Sequence, residues 1–77
     1  MNKPVDEYTV ITLLHSLAAI SPQKAKSINE LAFYLKCQIN DLKKIIERLH
    51  QEGYVDRIDD KLFLTTKGWL KVLMYYT

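Results

Sequence analysis

The sequence predicts a mainly α-helical domain with one small β-hairpin, and three observations carry that prediction. Apolar residues recur every three or four positions in four separate segments, the spacing that places them along one side of a helix. After Gly53 the pattern changes to two short strand-like runs flanking Asp59-Asp60, as a hairpin requires. The only glycines, Gly53 and Gly68, and the only prolines, Pro4 and Pro22, partition the chain.

The first helix is expected over residues 5–20. Pro4 precedes it, and Asp6 and Glu7 fall in its first turn, where the helix dipole favours acid. Val10, Leu13, Leu14 and Leu17 form its apolar stripe, with Thr12, His15 and Ala19 opposite, and Ser21-Pro22 stops it. Residues 23–26 make a short, polar, basic connection. Ser27-Ile28-Asn29-Glu30 is a capping-box pattern that starts a second helix running to about Leu35, with Ile28, Leu31, Ala32 and Leu35 on its buried side. Lys36-Cys37-Gln38 breaks it. A third helix spans residues 39–52 and ends at Gly53, the residue suited to a left-handed C-terminal cap. Ile39, Leu42, Ile45, Ile46 and Leu49 form its core side; Asn40, Lys43, Lys44, Glu47 and Gln51 lie opposite. Strands at residues 54–58 and 61–64 follow, and Thr65 or Thr66 caps a last helix to about Tyr76.

Composition sets the outer bounds. Seventy-seven residues fit a single domain, 1–77, with one modest core. Hydrophobic residues at 48% and charged residues at 26% are the balance of a globular chain rather than a disordered one. A formal net charge of +2 is mildly basic, compatible with nucleic acid without requiring it. The single cysteine, Cys37, excludes an internal disulfide, and His15 and His50 have no third ligand at metal spacing, so neither metal nor cofactor is expected. Lys3 and the apolar run 10–20 resemble a secretory signal only faintly. Asp6 and Glu7 stand where that signal needs positive charge, and the run is too short to span a bilayer. It reads as a helix of the mature fold, in a cytoplasmic protein. No nucleophile–base pairing, phosphate loop or paired-carboxylate pattern occurs, so an enzyme is not expected.

The segment Leu31-Ala32-Phe33-Tyr34-Leu35-Lys36-Cys37-Gln38, continued by Leu42, Ile46, Leu49, Gly53-Tyr54-Val55 and Arg57, resembles the winged helix-turn-helix domains of MarR-type and related archaeal and bacterial transcription regulators. Leu64-Thr65-Thr66-Lys67-Gly68 is similar to their junction between wing and last helix. The resemblance covers residues 27–68 and implies a helix-turn-helix at about 27–52, a two-stranded wing at about 54–64 and a C-terminal helix at about 66–76. It also implies sequence-specific binding of double-stranded DNA by a small dimeric transcriptional regulator, its third helix in the major groove.

Carried onto this chain, the implied base-facing residues are Gln38, Asn40, Lys43 and Lys44, whose amides suit adenine and whose amines suit guanine or phosphate. Ser27, Asn29 and Lys36 are the implied phosphate contacts around the second helix, and Arg57 and Lys61 those of the wing. Lys36 stands where many such turns carry glycine, and the wing tip Asp59-Asp60 is acidic. That acidity, with the near-neutral charge balance, favours the alternative of a winged-helix protein–protein interaction module. Glu47 can accept from cytosine or pair with Lys43 on the helix surface. Cys37, in the turn, reads as a buried structural thiol, with a redox sensor as the alternative.

In the last helix Lys71 is almost the only polar position. Trp69, Val72, Leu73 and Tyr76 form one stripe, Leu70 and Met74 a second. One is expected in the core and the other in a homodimer interface carried by Trp69, Leu70, Leu73 and Met74.

Overall fold

The structure, a computed structural model, describes residues 5–76. Its elements run α1 (Glu7–Ser16), β1 (Lys26–Ser27), α2 (Ile28–Leu35), α3 (Ile39–Gln51), β2 (Val55–Ile58), β3 (Lys61–Leu64) and α4 (Thr66–Met74), with a 3-10 turn at Pro22–Lys24 before β1. The expected class, mainly helical with a small antiparallel sheet, is the one found. Pro4 as the herald of α1 lies outside the described residues.

α1 begins at a capping box formed by Asp6 and Thr9. The Asp6 carboxylate accepts from the Thr9 backbone N–H at 2.8 Å, and Thr9 Oγ1 accepts from the Asp6 N–H at 3.2 Å. This is a capping box with threonine in the position usually held by glutamate. The helix stops at Ser16, short of the expected residue 20, because Ala18 turns left-handed at φ 57°. The Ala18 and Ala19 N–H groups then close back onto the His15 and Leu14 carbonyls. Ala19, expected on the exposed side of a longer helix, is therefore buried, and its carbonyl accepts from the Leu64 N–H at 2.7 Å.

The same closure ends α2 and α3. Lys36 is left-handed at φ 52°, and the N–H of Cys37 reaches the Ala32 carbonyl. Gly53 is left-handed at φ 80°, and the N–H of Tyr54 reaches the Leu49 carbonyl. Each closure satisfies terminal carbonyls that a helix end leaves open. Only at Gly53 does the residue suit the backbone; alanine and lysine there cost steric energy that glycine avoids.

The sheet has three strands, ordered β1-β3-β2, where the sequence predicted two. β2 and β3 form the expected hairpin, Val55 opposite Leu64 and Ile58 opposite Lys61, turning through Asp59 at φ 56°. The connection before α2 adds the third strand, Lys26 opposite Leu62 and Ser27 opposite Lys61. Two residues are too few to show a period-2 pattern, so this strand left no sequence signal.

The core is drawn from every helix and from the inner side of the sheet. Val10, Ile11 and Leu14 of α1 meet Leu31, Leu42, Ile46 and Leu49, closed below by Val55, Leu62, Leu64 and Val72. Each such side chain contributes about 1.5–3 kcal/mol of burial. The α3 periodicity is met at Leu42, Ile45, Ile46 and Leu49, whereas Ile39, in the first turn, is exposed.

α4 is fixed to the end of α3 by a polar junction. The Thr65 hydroxyl accepts from the Gly68 N–H at 3.0 Å, capping α4, and donates to the Gly53 carbonyl. The Thr65 N–H bonds the Tyr54 carbonyl at 3.1 Å, and Lys67 Nζ donates to the Glu52 carbonyl at 2.6 Å. Gly68 permits this approach: a Cβ there would sit 1.9 Å from the Tyr54 carbonyl oxygen. The buried line of α4 is consequently Gly68 and Val72. Trp69 and Tyr76, on the stripe that also holds Val72, are exposed, and Leu73 is half-buried.

Candidate nucleic-acid interface

α3 presents its polar side outward because its four core residues turn that side away from the other elements. Gln38 occupies the N-cap position without a side-chain capping bond, so its amide is uncommitted. Asn40, Lys43, Lys44 and Glu47 are all exposed on the helix that follows.

Two shallow grooves, both lined by Ile28 and Lys43, lie beside α3. One, of about 270 Å³, is lined by Ile28, Lys43, Ile46, Glu47 and Arg57. The other, of about 310 Å³, is lined by Ile28, Asn29, Ile39, Lys43 and Asp60. Asn29 from the start of α2, Lys43 from α3 and Arg57 from β2 thus gather around a floor set by Ile28. The register explains the reach of Arg57. It pairs with Leu62 and, two residues after Val55, shares with it the sheet side that faces the helices.

The other expected contacts lie elsewhere. Lys61 alternates with Leu62 and so belongs to the opposite side of the sheet from Arg57. Lys36 is exposed at the far end of α2 and lines neither groove. Ser27 is half-buried, and its hydroxyl accepts from the Glu30 N–H at 3.1 Å as the helix cap. The exposed part of Ile39 and the half-buried Ile28 give the grooves an apolar component that was expected in the core. Both begin their helices, where covering elements are thin.

The charges divide by use. Arg48 pairs with Glu7 at 3.8 Å, Lys67 and Lys71 lie over the Tyr54 ring, and His50 stands 3.7 Å from Asp56. By contrast the side chains of Asn29, Gln38, Asn40, Lys43, Lys44, Glu47 and Arg57 have no hydrogen-bond or ion-pair partner among the described residues. Glu47 in particular does not pair with Lys43. Glu47 and Asp60 put acid into the grooves beside the cations.

Cys37, half-buried in the turn between α2 and α3, packs against the core. Burial pushes its thiol above the ordinary thiol value, the Asp41 carboxylate adds to that, and a backbone hydrogen bond opposes it. The neutral thiol is the favoured form, the opposite of an activated thiolate. Among the described residues no group of three or more His, Cys, Asp or Glu side chains is placed to hold a metal ion. No helix among them is long and apolar enough to cross a membrane.

Compared with known proteins, the chain matches no family model, no curated protein and no solved structure.

Proposed function

We propose that this chain is a winged helix-turn-helix domain that binds double-stranded DNA, with α3 in the major groove and the β2–β3 hairpin as its wing, and that it acts as a cytoplasmic transcriptional regulator without catalysis or cofactor. The observation that supports this reading best is the outer side of α3. Its amides and amines are uncommitted and exposed, and Asn29 and Arg57 stand beside Lys43 in the grooves, which Gln38, Asn40 and Lys44 do not line. The major groove, about 12 Å wide, admits a helix of this kind. Asn40 then reads adenine, Lys43 and Lys44 reach guanine acceptors or phosphate, and Arg57 and Asn29 hold the backbone on either side.

A second reading, a winged-helix module that binds protein, is favoured by Glu47 and Asp60 lining the grooves and by Asp59 at the hairpin tip. Carboxylates there repel phosphate but suit a basic partner. Duplex titrations at rising salt separate the two. DNA binding through Lys43, Lys44 and Arg57 gives log K falling against log salt with a slope of about −3. No measurable duplex binding at low salt would reject the DNA reading.

A further inference from the structure

We infer that Asp56 guards the open edge of β2, closing it against strand addition by a second copy of this chain. The order β1-β3-β2 leaves the sheet two edges. β1 is two residues long and leads at once into α2, too short an edge to template another strand. Beyond β1, the same side of β3 is taken by Ala19, whose carbonyl accepts from the Leu64 N–H at 2.7 Å. β2 is the longer edge. It is exposed at Asp56, Arg57 and Ile58, and among the described residues no strand pairs with its outer side.

The register decides which backbone groups that edge offers. The Leu64 N–H turns away from β2, to Ala19, and by alternation the backbone groups of Leu62 turn the same way, toward β1. Val55 and Arg57, opposite Leu64 and Leu62, therefore turn their own N–H and C=O groups out to the open edge. The N–H of Arg57 is not left bare. Asp56 Oδ1 accepts from it at 2.8 Å, and His50 Nε2, in the last turn of α3, stands 3.7 Å from the same oxygen. A strand docking on β2 would have to displace that carboxylate from the middle of the edge. Charge acts in the same sense. Residues directly opposite in an antiparallel pair share a face, so pairing of β2 along its whole length with a second β2 matches Val55 with Arg57 and sets Asp56 against Asp56. A slip of two residues sets Arg57 against Arg57 instead. Either register brings like charges together. Without the carboxylate, the full-length register would place Ile58 against Tyr54 of the second copy on the same face, an apolar ladder with nothing to oppose it.

Sedimentation velocity of the whole chain at about 5 to 200 µM, the range of weak association, tests this by comparing single variants with the parent. Asp56→Val removes both the acceptor and the charge. It should sediment as heavier, concentration-dependent species than the parent, with the Arg57 amide increasingly protected from hydrogen exchange as concentration rises. Asp56→Ala gives the same readout should Asp56→Val fail to fold. Asp56→Lys again sets like charges opposite each other but offers no acceptor. It should sediment as the parent does, while its Arg57 amide exchanges about two- to tenfold faster by NMR. Folded Asp56→Val or Asp56→Ala chains that sediment like the parent overturn the inference. So does an Asp56→Lys chain that associates as Asp56→Val does, or one whose Arg57 amide exchanges at the parent's rate.

Discussion

Gly68 is the residue whose replacement the structure tolerates least. A methyl group there overlaps the Tyr54 carbonyl, and both the α4 backbone and the α3–β2 corner are tied down by the Thr65 hydrogen bonds. Gly68→Ala should lower stability by at least about 3 kcal/mol, read as a shifted urea midpoint. The left-handed residues behave in the opposite sense. Ala18→Gly removes a steric cost remote from the grooves and should stabilise by about 0.5–1 kcal/mol without changing DNA affinity. Lys36→Gly should give a similar gain in stability, and any loss of affinity that accompanies it isolates the charge of Lys36. Cys37 titrates in the alkaline range. Its folded-state thiol lies above the ordinary value, so the folded state holds the proton longer than the unfolded chain. The resulting stabilisation is present below the ordinary thiol value and is lost as pH rises through the raised one. Unfolding curves of Cys37→Ser should show a shallower alkaline decline, and alkylation of native Cys37 at neutral pH should be slower than that of the unfolded chain.

α3 is the element on which the functional reading turns. Asn40 and Glu47 lie seven residues apart on its outer side, roughly 10 Å along the axis, or about three base-pair steps. Asn40→Ala should cost about 1–3 kcal/mol on the preferred duplex and relax discrimination at one base pair. Lys44→Ala should weaken all duplexes alike and flatten the salt slope by about one unit. Glu47→Gln should tighten binding to unrelated duplexes while losing a preference for cytosine about three positions from the Asn40 contact, measured with single-base variants of the site. α3 was also the most legible element in the sequence, since Leu42, Ile45, Ile46, Leu49 and Gly53 mark both its core side and its end. α1 is shorter than its apolar pattern predicts because alanine carries no turn signal, so the reversal at Ala18 leaves no trace in the sequence. β1 was missed because its two residues are ordered by the open edge of β3 rather than by their own pattern. The stripe on α4 was rotated because Gly68 sets the closest approach, and a residue without a side chain does not register in an apolar periodicity.

For the whole molecule, the grooves are assembled from α2, α3 and the hairpin, and so from contacts that no single segment encodes. The sequence showed which side chains are of the right chemistry; the sheet register decided that Arg57 joins Lys43 while Lys61 lies on the other side. The proposal on which the rest depends is that α3 reads DNA. Selection of bound duplexes from a random oligonucleotide pool, run in parallel with the parent chain and with Asn40→Ala, tests it most directly. The account predicts that the parent enriches one motif and that the variant enriches the same motif with a single position degenerate. A pool that stays random with the parent, or a motif that Asn40→Ala leaves unchanged at every position, would contradict it.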